Sequence, residues 1–295
     1  SMQLSATLTD IDTIVISSNI DLTTIIADNA LIGSAAGSNF ITLLDAGTVT
    51  GAAEVEAYRL ADGGNTFTLG NAGQSVVGGS GNEVVHSGAF TTLTGTYTLD
   101  GGDDTVVLDT NLTNLAGATL TAVEHVALAT DVDATVTLAQ NALIDTALGD
   151  NTVTLSAAGT ASGAAAVESY VLADGANDFT LGAAAQTVQG GSDDDVVHTG
   201  ALTSLTGSLA LGGGNDTLVV DATATNIAGL SLTSVEAIAL ASNVNATMTI
   251  AENAVLGTAA GANTVILSDA GAASGSAEVE NYQLANGSNT FTLGA

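Results

Sequence analysis

Short runs in which aliphatic and hydroxylated residues alternate dominate the chain. Thr135-Val136-Thr137-Leu138, Thr152-Val153-Thr154-Leu155 and Ser208-Leu209-Ala210-Leu211 place every second residue in the apolar set. That period of two belongs to a strand with one buried face. Shorter runs fill the intervals: Val126-Ala127-Leu128, Tyr170-Val171-Leu172, Phe179-Thr180-Leu181, Thr187-Val188, Val196-Val197, Leu218-Val219-Val220 and Leu230-Ser231-Leu232. Most successive runs start about 8 to 12 residues apart, with Gly, Asn and Asp between them, the residues that turn a backbone tightly. Strand, tight turn and second strand make one lap of roughly 18 to 19 residues. A wider gap near Asn141 predicts a further strand around Leu143-Ile144, and the stretch 157–166 is open to a strand, a helical turn or a loop.

The pattern repeats at a fixed distance. Val55-Glu56-Ala57-Tyr58 returns as Val167-Glu168-Ser169-Tyr170 and as Val279-Glu280-Asn281-Tyr282, each time at an offset of 112. Ile11-Asp12-Thr13-Ile14 matches Val123-Glu124-His125-Val126 and Val235-Glu236-Ala237-Ile238 at the same offset. Residues 162–182 and 274–294 share 14 of 21 positions, and no insertion breaks the frame. Six laps fit one such repeat. The fold expected is therefore all-β, a parallel β-solenoid of the β-roll or β-helix kind. Repeats span 6–117, 118–229 and, in part, 230–295, as one continuous body. Ser1-Met2, within a partial start over 1–5, reads as the remnant of a tag. The parent is expected to be longer. An immunoglobulin-like sandwich array, the competing fold, needs longer return connections and a buried aromatic anchor, and aromatics are only 3%.

Composition narrows the function. The chain carries 31 acids against one basic side chain, Arg59, for a formal net charge of −30. Phosphate contacts need Lys and Arg, so nucleic acid is not an expected partner, and membrane insertion has no apolar run of sufficient length. Such charge repels itself unless cations neutralise it. There is no Cys to staple a secreted chain, and metal is a usual substitute. There is no Pro either, as suits a backbone committed to ladders.

The acids gather in glycine-rich turns that feed strands: Gly190-Gly191-Ser192-Asp193-Asp194-Asp195 before Val196, Gly212-Gly213-Gly214-Asn215-Asp216 before Thr217, and Asp174-Gly175-Ala176-Asn177-Asp178 before Phe179. Carboxylates and exposed carbonyls there are hard oxygen ligands of the kind Ca2+ takes. The spacing places Asp178, Asp195 and Asp216 on successive laps, one above another. The same residues also make a good turn with solvated charge.

Gly78-Gly79-Ser80-Gly81-Asn82-Glu83-Val84-Val85-His86 and Gly212-x-Gly214-Asn215-Asp216-Thr217-Leu218 resemble the glycine-rich nonapeptide of RTX (repeats-in-toxin) secreted proteins. The likeness covers a little under half of each repeat. Glu83 stands where that family has Asp, and Asp193 where it has glycine. The resemblance is to long RTX-type adhesins and surface-layer proteins. It implies a β-roll with Ca2+ as the bound ion. Its leading ligand candidates are Glu83, Asp104, Asp195 and Asp216. Behind them stand Asp100, Asp103, Asp174, Asp178, Asp193, Asp194 and Asn215.

The remaining motifs have plainer readings. His86 and His198 are edge or surface histidines, and His125 becomes Ala237 one repeat on. Tyr58, Tyr170 and Tyr282 pack in register. Glu56, Glu168 and Glu280 read as outward strand residues, as do Asp12, Glu124 and Glu236. A lyase would need cationic groups that the chain lacks, and no Gly-x-Ser-x-Gly elbow appears. The expectation is thus a non-enzymatic, secreted or bacterial cell-surface structural protein. Its partners would be copies of itself and cell-surface or polysaccharide contacts. The alternative is a solenoid presenting Thr-x-Thr rows (Thr66/Thr68, Thr135/Thr137, Thr152/Thr154, Thr290/Thr292) to ice or polysaccharide.

Overall fold

The computed structural model describes residues 2–4 and 8–294. Its strands are two to four residues long and, wherever they pair, they pair in parallel. Short parallel strands cannot be joined by tight hairpins, so each must return by a full lap. The architecture is a parallel β-solenoid, as the alternation and the turn spacing predict.

Two compact units divide between Asn151 and Thr152. In the first, one sheet runs Met2–Gln3, Asp21–Thr24, Phe40–Leu43, Ala57–Arg59, Ser75–Val77, Thr96–Thr98 and Thr119–Thr121. A second runs Thr48–Thr50, Asn65–Thr68, Glu83–His86, Thr105–Leu108, His125–Leu128 and Ile144–Ala147. From Phe40 to Leu128 strands of the two sheets alternate along the chain, so each lap there gives one strand to each. Leu22, Ile41, Tyr58, Val76 and Tyr97 are successive register partners, each one lap beyond the last. Two further laps, through the Thr92–Asn114 bridge and the Thr113–Ala134 pair, bring the chain to Ala134, the repeat equivalent of Leu22.

The second unit repeats the plan. One sheet contains Thr152–Leu155, Ser169–Val171, Thr187–Gln189, Ser208–Ala210 and Ser231–Thr233. The other contains Thr160–Ser162, Asp178–Thr180, Val196–His198, Thr217–Val220, Ala237–Leu240 and Leu256–Ala259. The stretch left open at 157–166 thus holds a strand, and the strand expected near Leu143-Ile144 is present as Ile144–Ala147.

The core is built of aliphatic side chains, with a buried tyrosine–phenylalanine pair in each of the first two repeats and Tyr97 besides. Val153, Val188, Val197, Leu209 and Leu218 are buried, as are Tyr58, Phe67, Tyr170 and Phe179. Each such burial contributes about 1.5–3 kcal/mol. The tyrosines pack on the phenylalanine that follows, with ring centroids 5.0 Å apart for Tyr58 and Phe67 and 4.9 Å for Tyr170 and Phe179. Their hydroxyls are used too: Ala52 N–H donates to Tyr58 Oη and Ala164 N–H to Tyr170 Oη, both at 2.8 Å. Tyr58 and Tyr170 are thus core residues, as the sequence implied, with aliphatic register partners on the neighbouring laps.

One element departs from the expected all-strand lap. Four-residue helical turns occur at Ile26–Asn29, Leu138–Asn141 and Ile250–Asn253, one in each repeat. Thr135-Val136-Thr137-Leu138 is therefore not one strand: the strand is Ala134–Val136, and Leu138 opens the helix. Thr137 and Thr249 cap it in a reciprocal box with Gln140 and Glu252, which satisfies two of the orphan N–H groups at the helix start.

Candidate site: the acidic corner ladders

Each strand of the second sheet in either unit is entered through a corner, and in the acidic stretches the residue at that corner is polar and buried. In the first unit the corner residues are Asn65, Glu83 and Asp104, exposed by 2%, 0% and 0%. The Asn65 amide Nδ2 donates to Glu83 Oε1 (3.2 Å), Glu83 N–H to Asp104 Oδ1 (2.7 Å) and Asp104 N–H to Glu124 Oε2 (3.0 Å). The second unit has the same column. Asn177 Nδ2 donates to Asp195 Oδ1 (2.8 Å), Asp195 N–H to Asp216 Oδ1 (2.8 Å) and Asp216 N–H to Glu236 Oε2 (2.9 Å). Each acid thus reaches back one lap and accepts a hydrogen bond there, for most of them from a main-chain N–H. The pattern is chemically sensible, since a buried backbone donor left alone costs about 1–3 kcal/mol.

The stack corrects one sequence expectation. The residue below Asp195 and Asp216 is Asn177, not Asp178. Asp178 is the first residue of its strand, pairs with Val196, and is exposed; its Oδ1 lies 3.6 Å from His198 Nε2. The leading candidates Glu83, Asp104, Asp195 and Asp216 are all buried in the column. The others lie outside it. Asp100, Asp103, Asp174, Asp193, Asp194 and Asn215 are exposed on the turns. Two of these turns touch in an outer rung: Asn215 N–H donates to Asp194 Oδ1 (2.7 Å), as Asp103 N–H does to Asn82 Oδ1 (3.2 Å).

Sequence reasoning missed the ladder termini. Glu56, Glu124, Glu236 and Glu280 do not lie within strands as outward residues. Each directly precedes a strand. Its carboxylate accepts an N–H from the lap before: Asn39 for Glu56 (2.6 Å), Asn263 for Glu280 (2.7 Å), and Asp104 and Asp216 as above. Their fixed place one residue before a strand, recurring in every repeat, was the available signal.

Each histidine has a lap-to-lap partner. His86 Nδ1 lies 2.8 Å from Asp109 Oδ1 and His198 Nδ1 2.9 Å from Asp221 Oδ1. His125 lies between Asp103, 2.7 Å from Nε2, and Asp145, which contacts Nδ1. Acceptors on both ring nitrogens favour the doubly protonated ring, and they raise the His125 pKa, with Asp103 the main cause.

Three of the inner carboxyl groups each leave one oxygen unmatched. Glu83 Oε2, Asp104 Oδ2 and Asp216 Oδ2 are buried without a hydrogen-bond partner. Burial pushes the Glu83 carboxyl up to about 7, Asp104 adds to the rise, and the Asn65 amide opposes it. Asp104 and Asp216 are raised for the same first reason, burial, against the N–H donors that pull them down. A buried carboxylate without a counter-charge is costly, so this position calls for a proton or a cation.

The glycines beside the column leave it room. A Cβ on Gly78 would lie 2.4 Å from the Leu99 carbonyl oxygen and 2.8 Å from Glu83 Oε2; one on Gly190 would lie 2.3 Å from the Leu211 carbonyl oxygen and 2.5 Å from Asp195 Oδ2. A carboxylate and a carbonyl oxygen therefore converge over each glycine. Among the described residues, no three His, Cys, Asp or Glu side chains converge as a metal-holding group. The donor set is carboxylate plus main-chain oxygen, which fits a hard cation such as Ca2+ and not a soft one.

No protein-family model, characterised protein or solved structure matches the chain.

The threonine rows are short. Thr48 and Thr50 align with Thr66 and Thr68, but the next lap puts Val84 and His86 at those places. Thr152 aligns with Ser169. Among the described residues, no helix is long and apolar enough to cross a membrane.

Proposed function

We propose that this chain is the repeat region of an extracellular structural protein of the RTX-like adhesin, surface-layer or filament kind, stabilised by Ca2+ at its acidic corners and without catalytic activity of its own. The observation that carries this reading is the fate of the acids. They do not gather in one cleft. Those at the corners are placed one per lap, each joined to the next, in a column that recurs in the following repeat. Such an arrangement holds a body together and has no nucleophile–base pair to offer. Glu83, Asp104, Asp195 and Asp216, with the Leu99 and Leu211 carbonyls, would hold the ion, which supplies the positive charge that the buried oxygens lack. Self-association and cell-surface or polysaccharide contact belong to the same proposal.

The test is thermal unfolding of the full chain after EDTA treatment, then with Ca2+ restored. EDTA is expected to lower the melting temperature by many degrees and Ca2+ to restore it, since a ligand bound at about 100 times its dissociation constant adds about 2.7 kcal/mol. A double variant, Asp104→Asn with Asp216→Asn, keeps an acceptor for the Glu83 and Asp195 N–H groups and removes two charges. It is expected to melt higher than the parent in EDTA and to respond less to Ca2+. Identical melts with and without chelator would reject the metal. Light scattering that rises with protein concentration or with Ca2+ is the expected result for an assembly unit; a monomer under both conditions would leave only a spacer.

A further inference from the structure

The tandem repeat supplies its own control for one buried side chain. At Gln140, Thr137 N–H donates to Oε1 (2.9 Å), and Nε2 donates to the carbonyl oxygens of Leu115 (3.0 Å) and Ala118 (3.1 Å). At the equivalent position one repeat on stands Glu252, only 7% exposed. Thr249 N–H donates to its Oε2 (2.6 Å), so Oε2 takes the place of the Gln140 oxygen. The backbone around the two sites is the same. Ala118 N–H to Leu115 O and Leu230 N–H to Ile227 O are both 2.8 Å, and Leu115 N–H to Thr135 O (2.8 Å) has its counterpart in Ile227 N–H to Thr247 O (2.9 Å). Glu252 Oε1 therefore stands where an amide NH2 stands one repeat earlier, opposite the carbonyls of Ile227 and Leu230.

An ionised carboxylate there would set an anionic oxygen against two carbonyl oxygens. We propose that the folded chain holds Glu252 as the neutral carboxylic acid, with Oε1–H donating to the Ile227 or Leu230 carbonyl, so that this helical lap is a joint strengthened by acid. The neutral acid is nearly isosteric with the amide it replaces, and its O–H can make the contact that the Gln140 amide makes with the equivalent carbonyls. At the equivalent site one repeat earlier the same two carbonyls are met by an amide and no ion is needed, and apart from Thr249 and Glu252 the side chains lining the concavity beside it, about 290 Å3, are aliphatic, with Leu230, Leu232, Val235 and Val255 among its walls. The groups facing the site from neighbouring laps bring no positive charge. Asp269, from the following lap, accepts the Ile250 N–H, and Tyr282 donates its hydroxyl to Asn253 next to Glu252. Glu236, from the preceding lap, is occupied by the Asp216 N–H. Burial raises the Glu252 pKa, Asp269 adds to it, and the Thr249 donors oppose it. An acid whose pKa is raised by folding stabilises the fold fully below its unfolded value, and that contribution is lost as pH rises through the folded value.

The experiment compares the full chain with Glu252→Gln and with the reciprocal Gln140→Glu, by thermal melts at about pH 5 and about pH 8 and by hydrogen exchange of the amides over 249–256. Glu252→Gln is expected to melt above the parent at the higher pH and level with it at the lower, with slower local exchange only at the higher pH. Gln140→Glu is expected to melt below the parent at the higher pH and to converge with it on acidification. A parent–Glu252→Gln difference that does not change with pH would overturn the proposal. So would Ca2+ at the higher pH erasing that difference, which would assign an ion to the site. Should Gln140→Glu fail to fold, the Glu252→Gln comparison and the 13C shift of the Glu252 carboxyl across the same range decide alone.

Discussion

Gly182→Ala is expected to unfold the second unit at a temperature lower by on the order of 10 °C. The reason is contact between laps, not backbone freedom. A Cβ at Gly182 would lie 1.9 Å from the carbonyl oxygen of Gly163 and 2.6 Å from its carbon, closer than any real contact. The obstacle is main chain, which cannot rotate away as a side chain would. Relief requires the two laps to separate, and that loosens the ladder bond from Gly163 N–H to Thr180 O (2.9 Å) with the packing around it. A cost of about 3 kcal/mol or more places this among the severe overpacking cases. Gly70 faces Gly51 O at 2.0 Å in the first unit and should behave alike, whereas Gly101, with nothing within 4 Å of its added Cβ, is the silent control. Calorimetry of the three variants checks the ranking. A Gly182→Ala protein that melts with the parent would show that the laps yield.

Phe179→Ala is the second large effect, with an expected loss of about 3–5 kcal/mol in denaturant unfolding. Phe179 is fully buried, and its ring packs at 4.9 Å and 50° on Tyr170. The register partners of Phe179 on the neighbouring laps are Ala161 and Val197, too small to fill the space left behind. The aromatic contact adds about 0.5–1.5 kcal/mol to the area term. Tyr170→Phe separates the two roles of that pair. It keeps the ring contact and removes the oxygen that accepts the Ala164 N–H, so its cost should fall near about 1–3 kcal/mol. If Phe179→Ala costs no more than Tyr170→Phe, the ring contact is not what holds these two laps.

Much of this was legible in the sequence because the solenoid is local in its logic. Val153 and Leu155 point in while Thr152 and Thr154 stay half-exposed, as their alternation says. The constant offset between Val55-Glu56 and Val167-Glu168 implies six laps per repeat. The glycine-rich acidic turns lie at the corners, and four of the residues singled out there stand in the buried columns. What escaped was set by geometry at single-residue resolution. Asp178 and Asn177 are neighbours in sequence, but a one-residue step changes the face of a strand, and only Asn177 turns inward. The helical lap escaped because Thr135-Val136-Thr137-Leu138 alternates like a strand. The competing signal, Thr137 followed three residues on by Gln140 and Thr249 followed by Glu252, is the capping box, and it outweighs the alternation once Thr137 caps the chain instead of extending it. The terminal acceptors Glu124 and Glu236 escaped because an exposed acid beside a strand needs no partner in sequence terms; its role appears only when the lap before presents an unpaired N–H.

The corner columns also bear on how such a gene can lengthen. Asn65, Glu83, Asp104 and Glu124 are linked one lap to the next, and a residue inserted within a strand would turn the side chains that follow it in that strand to the wrong face, whereas the turns already absorb differences in lap length between Leu22, Ile41, Tyr58, Val76 and Tyr97. A duplication keeps every column intact when it returns both the strand phase and the corner chemistry to their starting point, and the smallest such quantum visible in this chain is the whole six-lap block.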